Sequence, residues 1–157
     1  MITVLAIGKN KDRSMEAIEA EYLKRLSAFS KAEVIEVKDE SNAHSDREKE
    51  ALGIMEREAE RALARIRPGD YVILLDLHGK QWSSEEFAVK LGEWTATAGN
   101  LVFVIAGSLG PAPSLVKRAD VRWKLSELTF THLMTRMLVL EQIYRGFMIL
   151  NHRAYHK

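Results

Sequence analysis

The chain has 157 residues, 46% of them hydrophobic and 29% charged, with a formal net charge of +1 and no cysteine. That length fits one domain, residues 1–157, with a substantial core, and the missing thiols exclude disulfides and thiolate metal sites. The apolar opening run is too short for a signal-peptide core and nothing approaches a membrane span, so a cytoplasmic protein with no membrane partner is expected.

Residues 2–7 (ITVLAI) form an apolar, β-branched run that stops at Gly8, which predicts a buried strand. A polar loop over 9–14 follows, then a helix marked by Ile18, Tyr22, Leu26 and Phe29. Residues 32–37 read as a second strand and 38–47 as a polar loop. Leu52, Met55, Ala59, Leu63 and Ile66 share one helical face, closed by the turn residues Arg67-Pro68-Gly69-Asp70. Residues 71–77 (YVILLDL) are the most strand-like of all, with 78–81 expected as a loop. Ser83 and Glu86 form a capping box, with Trp82 and Phe87 at the positions of a hydrophobic staple. Phe87, Leu91 and Trp94 give the helix its buried face. Residues 101–106 predict a strand, 107–110 a turn, Pro111 and Pro113 the start of a short helix, and 121–125 a last strand. Leu133, Met137, Leu140, Tyr144 and Phe147 mark the final helix, with Thr129 or Thr131 as its cap.

Strands and helices alternate, and the strands are continuously apolar. That pattern predicts an α/β fold with a parallel sheet covered by helices on both faces. Ligands in such sheets sit at the carboxyl ends of the strands. Asp76 at one such end reads either as a metal or phosphoryl holder or as a turn aspartate. With no second acid beside it the turn reading is preferred, and no metal is expected. The Gly107-Ser108-Leu109-Gly110 turn is by itself a weak signal.

Charge is uneven along the chain. Residues 117–157 hold eight Lys and Arg against three acids, whereas residues 1–116 hold fifteen against nineteen. A basic end bearing histidine and tyrosine suits a polyanion, although the wet face of an amphipathic helix has the same composition.

The stretch from Leu125 to Lys157 carries a more specific signal. Leu125, Ser126, Thr129, His132 and Arg136 stand in register with the pattern L-S-x-x-T-x-P-H-x-x-x-R. Glu141, Gln142, Tyr144 and Arg145 match E-Q-x-Y-R-A, and the chain stops at Tyr155, His156, Lys157. These motifs resemble the C-terminus of the RlmH family, small SPOUT-class methyltransferases that modify a pseudouridine in large-subunit (23S) ribosomal RNA. Thr131, Gly146 and Ala154 depart from the family's proline, alanine and proline.

The resemblance implies a SPOUT-type fold with a C-terminal trefoil knot, a homodimer, and methyl transfer from S-adenosyl-L-methionine to N3 of a pseudouridine in ribosomal RNA or the ribosome. It implies that Leu75 packs on the cofactor's adenosine. It implies that Ala106 and Gly107 border the cofactor, and that the backbone of Leu125, Ser126, Glu127, Leu128, Thr129 and Phe130 wraps it. Ala106 replaces a family glycine, so either backbone strain or a crowding methyl group is expected there. That departure also leaves open a non-enzymatic RNA-binding module of the same fold. For the reaction, His156 is the candidate base, Tyr155 the ring partner, and Arg145 the stabiliser of developing charge. His132, Arg136 and Arg153 are expected on the substrate side, Arg136 at a phosphate and His132 alternatively ordering the cofactor loop.

Overall fold

The computed structural model describes residues 1–40 and 48–157. The expected polar loop over 38–47 therefore lies largely outside the described residues. Five strands, β1 (Ile2–Ile7), β2 (Ala32–Val37), β3 (Tyr71–Gln81), β4 (Leu101–Ile105) and β5 (Val121–Lys124), form one parallel sheet in the order β2-β1-β4-β3-β5. The helices are α1 (Arg13–Leu26), α2 (Glu48–Leu63), α3 (Ser84–Thr97), α4 (Pro113–Arg118) and α5 (His132–Leu150).

The strands bury both faces because successive side chains point opposite ways. Ile73, Leu101, Phe103 and Ile105 pack with Leu26, Phe87, Leu91, Leu140 and Ile143 from α1, α3 and α5. Val72, Leu74, Val102 and Val104 pack with Ala59, Ala62 and Leu115 from α2 and α4. This is the two-sided parallel sheet that the continuous apolar runs predict.

The boundaries differ in informative ways. β3 does not end at Leu77. It pairs Leu75 with Trp123, leaves the ladder, and pairs again at Lys80, so four residues bulge while the strand continues to Gln81. Gly79 permits this detour, since a Cβ there would lie 2.6 Å from the Arg122 backbone. Polar residues in the bulge make 78–81 read as a loop. Leu125 and Ala106 fall just outside their strands, and Phe29 and Ile66 lie in the turns that follow their helices.

The capping box at Ser83 and Glu86 forms as expected. Trp82 and Phe87 both stack on Trp123, with ring centroids 6.1 and 4.4 Å away. Thr131, not Thr129, caps α5 through the Met134 amide. The buried face of α5 is Met137, Val139, Leu140, Ile143, Gly146 and Phe147. Leu133 and Tyr144 are only partly covered.

Candidate active site

The carboxyl edge of the sheet holds a cavity of ≈ 480 Å³. Leu75 to His78, Ile105 to Pro111, and Arg122 to Ser126 line it, together with Leu128, Thr129, Phe130 and His132. The three strand ends singled out by sequence thus meet at one place, and Leu75, Ala106, Gly107 and the 125–130 segment all border it except Glu127. Among the described residues, no backbone–backbone hydrogen bond uses an amide or carbonyl of 125–130, and the Leu128 amide donates to the Ser126 hydroxyl. Those open groups suit reading a ligand's polar edge, while Leu75, Ile105, Trp123 and Leu125 supply apolar wall for a flat ring.

Asp76 lies in the bulge of β3. Its carboxylate accepts from the His78 amide at 2.9 Å and pairs with Arg122 at 3.2 Å. Among the described residues no group of three or more His, Cys, Asp or Glu is placed to hold a metal ion, and no helix is long and apolar enough to cross a membrane.

Ala106 shows none of the backbone strain expected as one of two alternatives for it. The only non-glycine residue with positive φ among those described is His152, so Ala106 is unstrained. It borders the cavity, and its side chain also packs against the α2/α4 core. The adjacent Gly107 is the residue with no room. A Cβ on it would stand 2.8 Å from Glu58 Oε1, a carboxylate that is 3% exposed and accepts from the Glu40 amide. Burial pushes the Glu58 carboxyl above its usual range. Nothing in the sequence pointed to Glu58, because it stands among many acids on an apparently wet helix face.

His132 lines the cavity, whereas Arg136 lies buried beneath it. His132 Nδ1 lies 3.1 Å from the Ala106 carbonyl, and its Nε2 lies 3.1 Å from Arg136 Nη2. A guanidinium only donates, so Nε2 accepts and Nδ1–H donates, which fixes a neutral imidazole. Burial, and then the Arg136 charge, push the His132 pKa below its ordinary value. Arg136 is wholly buried and bonded to Glu36 at 2.6 Å, Glu19 at 3.3 Å and the Gly8 carbonyl at 3.2 Å. Burial alone would raise Glu36, but the Arg136 and Asn10 hydrogen bonds outweigh it and hold its carboxyl low. The phosphate contact expected of Arg136 is therefore corrected: its charge is consumed by two carboxylates. Of the two readings of His132, its geometry fits the ordering of the pocket loop.

The C-terminal residues gather elsewhere. Glu141 Oε1 accepts from Arg145 Nε at 2.9 Å, from Arg145 Nη2 at 2.5 Å and from the Tyr155 hydroxyl at 3.2 Å. Arg145 Nη1 donates to His156 Nδ1 at 3.1 Å and the guanidinium lies 4.7 Å from the Tyr155 ring centroid. His156 Nε2 donates to Glu85 at 2.6 Å. Burial, and then Glu141, push the Tyr155 hydroxyl up to about 12. The tail reaches this position by turning back after α5 with His152 at φ 55, a left-handed residue of the kind that ends helices. Arg153 is exposed over the Phe29 ring. Glu141 was legible as an i,i+4 partner of Arg145. Glu85 was not, being 71 residues from His156.

One helix separates the two sites. Arg145 lies thirteen residues after His132 on α5, about 20 Å along a helix axis at 1.5 Å per residue. None of Glu141, Arg145, Tyr155 or His156 borders the cavity.

Residues 1–156 match the family model described as predicted SPOUT methyltransferase. The chain is 44% identical over 158 residues to the ribosomal RNA large subunit methyltransferase H of Ruminiclostridium cellulolyticum, with 99% of both chains covered. It is 43% identical over 157 residues to the protein of the same name from Carboxydothermus hydrogenoformans, again with 99% of each covered. A probable methylase family protein from Haemophilus influenzae has a similar fold, with a TM-score of 0.52 at 12% identity. That likeness covers 96% of this chain and 66% of the other.

Proposed function

This chain belongs to the SPOUT methyltransferase family, and from that premise we propose that it transfers the methyl group of S-adenosylmethionine to N3 of a pseudouridine in large-subunit ribosomal RNA. The single observation that carries the reading is the cavity at the carboxyl edge, where open backbone groups of 125–130 face an apolar wall. That combination fits a nucleoside with a polar edge and a flat ring. S-adenosylmethionine, when bound, supplies an electrophilic methyl group on a sulfonium. Leu75 would pack on the adenosine, Ala106 and Gly107 would border the cofactor and the backbone of 125–130 would wrap it, with His132 holding the loop that carries Ala106. Following the family, the C-terminal segment is proposed to thread as a trefoil knot.

The target nitrogen carries a proton that must leave, so the site needs a base and a stabiliser of the uracil anion. Arg145 and the Tyr155 hydroxyl are the donors for that anion. His156 takes the proton on Nδ1 once the substrate displaces Arg145 from it. These groups stand about 20 Å along α5 from the pocket of their own chain, so the tail acts on the pocket of a second copy. A homodimer is therefore part of the proposal, and Arg153 on the exposed tail faces the RNA.

The test mixes two inactive variants, one lacking Tyr155 to Lys157 and one with the pocket blocked by Thr129→Trp, at an exposed residue of its lining. Methylated nucleoside is then measured in large-subunit ribosomal RNA by mass spectrometry. Recovery of activity in the mixture supports the composite site. Inactivity of the mixture when both variants fold and dimerise sinks it, and absence of methylation by the unaltered chain sinks the function.

A further inference from the structure

The segment leaving β1 carries three exposed cations beside the pocket, and we infer that Lys9, Lys11 and Arg13 form a clamp for RNA phosphates. The inference rests on the RNA substrate proposed above and names a surface for it. Ala6 pairs with Ile105 across β1 and β4, so Gly8 and Ala106 leave the sheet side by side. His132 joins them: its Nδ1 bonds the Ala106 carbonyl, and a Cβ on Gly8 would lie 3.7 Å from its Nε2. Gly8, where the clamp segment begins, is thus one strand away from the cofactor loop, a spacing of about 4.8 Å between neighbouring strands, and the cations that follow it stand outside the cavity lining.

All three side chains are exposed, and none forms an ion pair among the described residues. Other cations around the pocket edge are engaged: Arg122 with Asp76, Lys124 with Glu127, and Arg57 and Arg61 with Glu40. Two acids beside the clamp are also committed. Asp12 caps α1 through the Ser14 and Met15 amides, and Glu36 accepts from Arg136 and the Asn10 amide. Three cations without a carboxylate partner among the described residues therefore follow one another at the β1 exit, with exposed Lys38 at the neighbouring end of β2.

The backbone beneath is fixed. The Gly8 amide donates to Val37 at 2.8 Å, and Arg136 donates to the Gly8 carbonyl. The Asn10 amide donates to Glu36 at 2.7 Å and the Asp12 amide to Asn10 Oδ1 at 3.0 Å. Asn10 is itself 4% exposed. A loop tied at Gly8, Asn10 and Asp12 loses little freedom when it meets a ligand, which is what separates a built surface from solvated lysines. The amides of Gly8, Asn10 and Asp12 are engaged within the protein, and the exposed side chains between and after them are three cations. That suits a phosphate backbone read by charge, and not a base read by hydrogen bonds.

The experiment neutralises the clamp with Lys9→Gln, Lys11→Gln and Arg13→Gln together. The control is Lys31→Gln with Arg65→Gln, two exposed cations where strands begin, at the opposite end of the sheet. Calorimetry with S-adenosylmethionine and methylation of large-subunit RNA are measured at several salt concentrations. The triple variant is expected to keep cofactor affinity and kcat at saturating RNA, to raise the RNA KM on the order of tenfold, and to flatten its log–log salt dependence by about 2. The control is expected to change little. A triple variant with unaltered KM and salt slope overturns the clamp alone, as does a control that loses as much. An unaltered chain that binds no cofactor and methylates no RNA overturns the proposed function and this surface with it.

Discussion

The imidazole of His132 and the carbonyl of Ala106 are joined by a 3.1 Å hydrogen bond that ties the start of α5 to the first residue of the pocket loop. Because Arg136 donates to the other ring nitrogen, the bond exists only with a neutral ring. A second proton would stand against a buried guanidinium.

That arrangement makes the pocket loop sensitive to acid. The folded-state pKa of His132 lies below its ordinary value, so the neutral form is favoured by folding. Its contribution is complete above the unfolded value, about 6.5, and is lost as pH falls through the lower folded value. Melting temperature and cofactor affinity of the wild type should both decline below about pH 6.5. His132→Asn should lower both at pH 7.5 and show a shallower acid decline. A variant whose pH profile superimposes on the wild type would exclude His132 as the sensitive group.

Ala106→Gly should not tighten cofactor binding, contrary to what either strain or crowding would give. The residue has ordinary backbone geometry and its methyl group packs on Ala- and Val-rich core. Calorimetry should give a dissociation constant within about twofold of wild type. Chemical denaturation should show a loss of about 0.4–1 kcal/mol, mainly from the freer unfolded chain.

Gly107→Ala is expected to be costly where Ala106 is not. The added methyl group meets the buried Glu58 carboxylate at 2.8 Å, and overpacking of this kind costs about 1–3 kcal/mol. Glu58→Ser alone should also destabilise, since the Glu40 amide loses its acceptor. Combined, the two losses should be less than additive, because the smaller side chain relieves the clash. Strict additivity in a double-mutant cycle would show that the two residues do not press on each other.

Removing Tyr155 to Lys157 should abolish methylation by at least about a hundredfold, the scale of a lost acid–base group. Cofactor affinity should be unchanged, because none of these residues borders the cavity. The deletion strips Arg145 of His156 but leaves its Glu141 pair, so the melting temperature should fall only slightly. Wild-type turnover by the truncated chain would remove the tail from the reaction.

The sequence was most readable where one physical cause dominates. Continuous apolar runs with β-branched residues located β1, β3 and β4, shorter mixed runs located β2 and β5, and Ser83 with Glu86 located the start of α3. Alternation of strand and helix then implied the parallel sheet. The bulge after Leu75 was invisible because its cause, the close pass of Gly79 over Arg122, is a contact across 43 residues. Arg136 misled for a similar reason. Cations on amphipathic helices usually face water, and only the fold reveals that Glu19 and Glu36 converge on this one. The three loops around the cavity were each legible as strand ends, but the open backbone of 125–130 was not, since hydrogen bonds that are not made leave no pattern.

Arg136 also bears on the order in which the molecule is built. Its partners Gly8, Glu19 and Glu36 lie 128, 117 and 100 residues earlier in the chain. Contacts so distant in sequence close large loops and form late. During synthesis the first four strands can pair before α5 exists, with Glu19 and Glu36 still lacking their countercharge. His132 reaches Ala106 only when the same helix docks. The pocket loop should therefore gain hydrogen-exchange protection after the central strands, in one step with the β1 exit. A newly made chain would acquire its binding site as its last act of folding.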